Sequence, residues 1–253
     1  MRYINYYEMK EIYFSALISF SILILSSSLS FAESAESIKI FPPKSKPFGM
    51  SYEDHAINYW KWQLSLPIDK SPYKDETGAK CANGQSSNSS VFYMSGGGGG
   101  VHHRTCTVPA GKALFIPVLH VEVSDKEIPG ATPEYLRKVA TIDQDHVTSL
   151  YLKINDTEFI NEKYDGGIIN SKNASAAQYR TPTGIFDVVF PQNAIFGAAA
   201  GPSKATSDGF YVITEPLKKG TYNIKYSGSI FCELTECLDL TFAQDMNYKV
   251  IAK

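Results

Sequence analysis

The sequence predicts a mainly β protein, an antiparallel β-sandwich or jelly-roll-like domain with two short helices. Three observations carry that expectation. The 253 residues include 16 Tyr and 14 Phe, types that fit a pleated, half-buried surface. The 18 Gly and 13 Pro, with many Ser and Asn, favour frequent turns over long helices. Short apolar runs also recur with turn signals between them, roughly every ten residues. No internal repeat is visible, and no linker is long enough to force two domains. The expected organisation is a signal peptide at 1–32, an extended lead-in at 33–50 and a single β-sandwich domain over 51–253.

The N-terminus supports export. Ile12 to Leu25 is an uncharged apolar run preceded by Arg2 and Lys10, and Ser30-Phe31-Ala32 places small residues before Glu33. This is the pattern of a secretory signal peptide cut after Ala32. The alternative is an uncleaved anchor, because Ile12 to Ala32 lacks a formal charge and is long enough to span a bilayer. A membrane is a partner only in that case, and the body is extracytoplasmic in both.

The elements then follow in order. Pro42, Pro43 and Pro47 keep the lead-in extended. Ser51 is an N-cap with Glu53 and Asp54 in the first turn, and Ala56, Ile57, Trp60 and Leu64 recur at helical spacing up to Pro67. Trp60 and Trp62, two residues apart, cannot share a helix face; Trp60 is expected to dock the helix and Trp62 to sit at its border. Strands are expected at Val91 to Ser95, Thr105 to Val108 and Lys112 to Val123. Thr132-Pro133-Glu134 opens a second helix with Leu136, Val139 and Ala140 on one face. Ser149 to Ile154 and Glu158 to Ile160 form a hairpin about Asn155-Asp156. Further strands are expected at Tyr179 to Thr181, Gly184 to Phe190, Gly209 to Thr214, Thr221 to Ser227, Leu238 to Phe242 and Tyr248 to Ala252.

Export governs how the cysteines read. Cys81, Cys106, Cys232 and Cys237 are even in number, which in an oxidising compartment suggests two disulfides. Three pairings exist, and sequence proximity favours Cys81–Cys106 with Cys232–Cys237. A four-thiolate zinc site needs close Cys-x-x-Cys pairs, which are absent. Asn88, Asn155 and Asn173 begin Asn-x-Ser/Thr triplets in turn-like stretches and are candidate glycosylation sites.

Charge excludes one class of partner. With 24 Lys+Arg against 26 Asp+Glu, the net charge of −2 supplies no large basic surface for nucleic acid. The run Gly96 to Gly100 leads into Val-His-His-Arg rather than Gly-Lys-Ser/Thr, so it reads as a flexible loop and not a phosphate cradle. No Gly-x-Ser-x-Gly elbow is present. Ser71-Pro-Tyr-Lys74 matches Ser-x-x-Lys, but its Pro argues against the helix that this chemistry uses. Asp125 and Glu127 read as solvated loop acids, and Asp143-Gln-Asp145 is too little for a calcium loop. Histidine offers more. His120 and Glu122 alternate on a strand and so share a face, and His102 and His103 precede the Cys106 strand. If that strand pairs with the one holding His120, these four residues gather as ligands for a divalent metal such as zinc, copper or iron. No other cofactor is expected.

Several stretches together resemble one family of signal-peptide-bearing exported proteins of unknown function. They are Tyr59-Trp-Lys-Trp-Gln-Leu-Ser-Leu-Pro67, Asp75-x-Thr-Gly78 with Cys81-Ala-x-Gly-Gln85, and Arg104-Thr-Cys-Thr-Val-Pro-Ala-Gly-Lys-Ala113 running into Phe115-x-Pro117. Phe196-Gly197, Ser207-Asp-Gly-Phe-Tyr-Val212, Pro216-Leu217 and Gly220 follow. The resemblance spans roughly residues 50–227. It brings no activity, cofactor or catalytic residue. The family pattern has Asn at the position of His120, and two His where this chain has Tyr222 and Lys225, so a metal at His120 is not implied by it.

The expected function is a non-enzymatic exported module that binds carbohydrate or protein, or an envelope-surface protein. The competing expectation is a metal-dependent enzyme with its His/Glu site on a jelly-roll sheet.

Overall fold

The computed structural model describes residues 38–163, 175–232 and 240–253. The expected signal peptide, Asn173 and Cys237 lie outside the described residues. Two helices are present, α1 (Tyr52–Leu64) and α2 (Pro133–Asp145). Nine strands are described: β1 (Val91–Tyr93), β2 (Gly100–Val108), β3 (Ala113–Ser124), β4 (Val147–Ile154), β5 (Thr157–Lys163), β6 (Phe186–Phe190), β7 (Gly201–Ile213), β8 (Gly220–Phe231) and β9 (Thr241–Ala252). They form a four-stranded sheet in the order β1-β3-β7-β6 and a five-stranded sheet in the order β2-β9-β8-β4-β5. This is the expected β-sandwich. Its sheets are mixed rather than purely antiparallel, because β1 runs parallel to β3 and β2 parallel to β9. The chain leaves β1 for the other sheet before returning to β3, and such a crossover is what a parallel pair requires.

The two sheets bury a common core that includes Leu119, Phe210 and Val212 from one and Leu152, Ile224, Tyr226 and Met246 from the other. The opposite face of the four-stranded sheet is covered by α1, where Ala56, Tyr59, Trp60 and Leu64 pack on Phe115, Tyr211 and Phe186. Among the described residues, the outer face of the five-stranded sheet is polar and open. The helices start where the sequence places them. Ser51 accepts from the Asp54 amide at 3.1 Å and Asp54 accepts from the Ser51 amide at 3.0 Å, a complete capping box. Thr132 caps α2, with Pro133 in its first turn.

Three elements differ from expectation. β9 is one strand where two were expected, because Gln244 is buried and conceals the alternation that continues through Met246, Tyr248 and Val250. The expected strand at Tyr179 to Thr181 is a 3-10 turn, Ser175–Tyr179, with only Arg180 bridged to Phe210. The glycine run is packed rather than free. A Cβ on Gly97 would lie 2.5 Å from His102 Nε2, and one on Gly96 would lie 3.2 Å from His120. Part of the lead-in also joins the sheet, since Ile40 bridges Thr214.

Cys81 and Cys106 form a disulfide with Cα atoms 5.9 Å apart, tying the turn-rich segment before β1 onto β2. A loop of this length contributes about 3 kcal/mol in the chain-entropy picture. Cys232 is buried and not a free thiol; its expected partner Cys237 lies outside the described residues.

Candidate functional site

One irregularity in β3 creates the site. The β3–β7 register shifts between Pro117 and Leu119, so Val118 and Leu119 both enter the core between the sheets. Such a bulge turns every later side chain to the other face. Phe115 faces α1, and without the bulge Leu119 and Val121 would follow it. With the bulge, His120 and Glu122 do. Gly209 lies opposite His120 in the register, and a Cβ there would come 2.5 Å from the His120 Cβ. A glycine is therefore needed for the imidazole to enter the layer under α1.

His120 and Glu122 reach a cavity of about 220 Å³. Its apolar wall is Trp60 from α1, Tyr73, Phe196, and Leu240 with Phe242 at the start of β9. Its polar wall is His120, Glu122, Glu127, Asp143 from α2, and Gln244. Trp60 packs on His120 with centroids 5.0 Å apart and donates its indole N–H to the Tyr211 hydroxyl at 3.2 Å. Phe196 meets Tyr73 edge to face at 5.0 Å, stays 43% exposed, and holds a left-handed backbone with φ 62°. That conformation costs a bulky residue about 1–3 kcal/mol, and such strain concentrates at functional sites.

The polar wall is short of partners. His120 Nε2 lies 3.0 Å from the Tyr59 hydroxyl, while its buried Nδ1 has no hydrogen-bond partner among the described residues. Burial pulls the imidazole down to about 3, so it is neutral at any physiological pH. Among the described residues neither oxygen of Glu122 meets an N–H or hydroxyl donor, and the carboxyl of Glu127 stands beside it. Burial, then the Glu127 charge, pushes Glu122 well above the ordinary carboxylate range. Burial raises Glu127 as well, although Ser124 Oγ donates to it at 2.5 Å. The two carboxyls satisfy each other only by sharing a proton. Asp143 is 6% exposed, its Oδ1 has no partner, and burial raises it to about 7. Among the described residues no Lys or Arg lines the cavity.

Of the four residues considered as metal ligands, the structure brings two together. β2 pairs with β9 and not with β3, so His102 and His103 sit in the other sheet. His102 is buried, its ring held by Glu76 at 2.9 Å and the Gly99 carbonyl at 2.8 Å. His103 points to the open face of the five-stranded sheet, level with Asn247, Lys225 and Lys153. Among the described residues no three His, Cys, Asp or Glu side chains are arranged to hold a metal. Glu127 corrects the sequence reading. It is a half-buried cavity group rather than a solvated loop acid, because the turn after β3 folds it back onto Ser124. Asp125 is likewise engaged, accepting from Ser203 Oγ at 2.6 Å. Asp143 and Phe196 were missed as site residues. For Phe196, the Phe-Gly pair followed by small residues was the one signal that a left-handed turn was present.

Elsewhere, Trp62 stacks on Tyr93 and donates to the Asn83 carbonyl at 2.8 Å, away from the cavity. Asn88 is exposed, whereas Asn155 uses its side-chain oxygen to accept from the Asn223 amide. No helix among the described residues is long and apolar enough to cross a membrane.

No family model matches the chain, and no curated protein matches it. Among solved structures, that of PbICP-C in complex with falcipain-2 is similar at 14% identity and a TM-score of 0.23, over 64% of this chain and 98% of that one. A likeness of that degree carries no argument about this protein.

Proposed function

We propose that the protein is an exported, non-enzymatic binding module that holds a small molecule in the cavity under α1. The observation that carries this reading is the convergence of Glu122, Glu127, Asp143 and His120 with the rings of Trp60, Tyr73, Phe196 and Phe242 on one cavity. Aromatic walls beside convergent polar groups are the usual make-up of a small-ligand pocket. Export is supported by the disulfide and by the N-terminal pattern.

Binding is favoured over hydrolysis by the spacing of the acids. Glycoside hydrolysis separates its two carboxyls by about 5 Å or more, whereas Glu122 and Glu127 are close enough to hydrogen bond. The metal-dependent enzyme has less support, since the ring of His102 is already engaged and His103 faces outward.

The two tryptophans provide the test. Trp60 lines the cavity and Trp62 does not. A library of small amines, polyols and monosaccharides titrated into ¹⁵N-labelled protein is expected to contain a ligand that shifts the Trp60 indole saturably and leaves Trp62 in place. A library in which nothing moves Trp60 selectively would end the reading.

A further inference from the structure

We propose that the cavity selects an organic cation, a small ammonium head held against Trp60, Tyr73, Phe196 and Phe242 and facing the carboxyls of Glu122, Glu127 and Asp143. This rests on the binding-module reading and names its ligand class.

The argument begins with charge. Among the described residues the lining carries three carboxyls and a neutral imidazole, and no cationic side chain. Charged groups on the neighbouring elements are already committed. On β7, Asp208 is held by Arg180. On β9, Asp245 is paired with Lys225 at 3.1 Å. Asp125 is turned to Ser203 and the Lys204 amide. Lys74 stands over the Tyr73 ring at 5.5 Å, outside the lining. At the end of α2, His146 sets its Nδ1 on the Ile142 carbonyl.

The apolar wall matches the same ligand. Aromatic faces attract ammonium groups through the ring quadrupole, and rings that surround a cation recognise alkylated ammonium in particular. About 220 Å³ suits a head group of that size. A neutral polyol would also find acceptors here, but it would leave the carboxyls without a countercharge. Phe196 fits its role as a wall, since it is exposed and strained while contributing little to the core.

Binding would be coupled to protons. Burial raises all three carboxyls, Asp143 to about 7, and so favours their protonated forms; a cation favours the ionised forms, so protons leave as the ligand enters. Affinity therefore rises with pH.

The experiment uses the oxidised full-length protein, titrated with choline and with its neutral isostere 3,3-dimethylbutan-1-ol, and follows the Trp60 and Trp62 indoles. Calorimetry in two buffers of different ionisation enthalpy counts protons. The expected result is choline binding at least about tenfold tighter than the isostere, with proton release for choline alone. Asp143→Asn, close in shape to the parent, is expected to reduce choline affinity about tenfold while an unshifted Trp62 indole reports an intact fold. Equal affinity for the isostere would overturn the cation and leave the binding module standing. So would selective binding of a monosaccharide or polyol with no response to choline. Silence of Trp60 to every probe would remove the binding reading itself.

Discussion

Asp143 and Asp145 lie two residues apart on α2 and meet opposite circumstances. Asp145 reaches the Arg180 guanidinium, which also binds both oxygens of Asp208 and the Thr141 carbonyl. Asp143 lines the cavity and, among the described residues, meets no Lys or Arg; only His146 nearby offsets its burial. Both regions hold buried acids close to the β3–β7 pair. One is completed by this chain's own arginine, the other is left open. Burial raises Asp208 too, but Arg180 pulls it back, whereas nothing of comparable strength opposes the rise at Asp143. The difference separates a group that holds the fold from a group that the fold has to support.

The largest expected effect breaks the closed side. Arg180→Met strands Asp208 in the interior, and removing one member of a buried pair costs about 3–5 kcal/mol. Urea unfolding of that variant measures it, and a loss below 1 kcal/mol would mean that the network is not structural. Substituting each acid by its amide tests the contrast directly. Asp145→Asn weakens a half-exposed contact and is expected to cost up to about 1 kcal/mol at pH 8. Asp143→Asn removes an unpaired buried charge and is expected to stabilise the protein by about 1–2 kcal/mol at the same pH. The same sign for both would break the comparison.

The pH dependence sharpens it. A carboxyl raised in the folded state gives stability that is full below its unfolded pKa and lost as pH rises through its folded value. For Asp143 that window runs from about 4 to about 7. His120 acts in the opposite sense. Its folded pKa is depressed to about 3, so its contribution is present above about 6.5 and lost as pH falls toward 3. The two slopes oppose each other between about pH 4 and 6.5. Relative to the parent, Asp143→Asn is therefore expected to tilt the slope of stability against pH upward through that range, and His120→Gln to tilt it downward. Thermal melts at half-unit steps would resolve both.

The smallest expected effect concerns Phe196. Phe196→Gly relieves the left-handed strain while losing the Tyr73 contact, leaving stability within about 1 kcal/mol of the parent. A buried phenylalanine such as Phe210 costs about 3–5 kcal/mol when truncated to Ala. A similarly large loss at Phe196 would make it a core residue rather than a pocket wall.

Much of the architecture was legible because it is local. The Ser51 and Thr132 caps, the β4–β5 hairpin about Asn155-Asp156 and the Cys81–Cys106 bridge each depend on residues near one another in sequence. The shared face of His120 and Glu122 was legible for the same reason, since alternation along a strand needs no partner. Which face they share was not. That depends on a bulge at Val118, which exists only because β3 must pair with β7, a strand some 90 residues away. The burial of Glu127, the approach of Asp143 from α2 and the aromatic wall of Trp60, Phe196 and Phe242 likewise come from five separate parts of the chain. The separation of His102 and His103 from His120 is a matter of sheet order, and sheet order is set by which strands bury the most apolar surface together. Sequence alone determined a cystine-bearing β-sandwich with an export-like N-terminus, because periodicity, caps and composition act over a few residues. Only the tertiary structure decided that its acids converge without a counter-ion, because burial and pairing are properties of the assembled core.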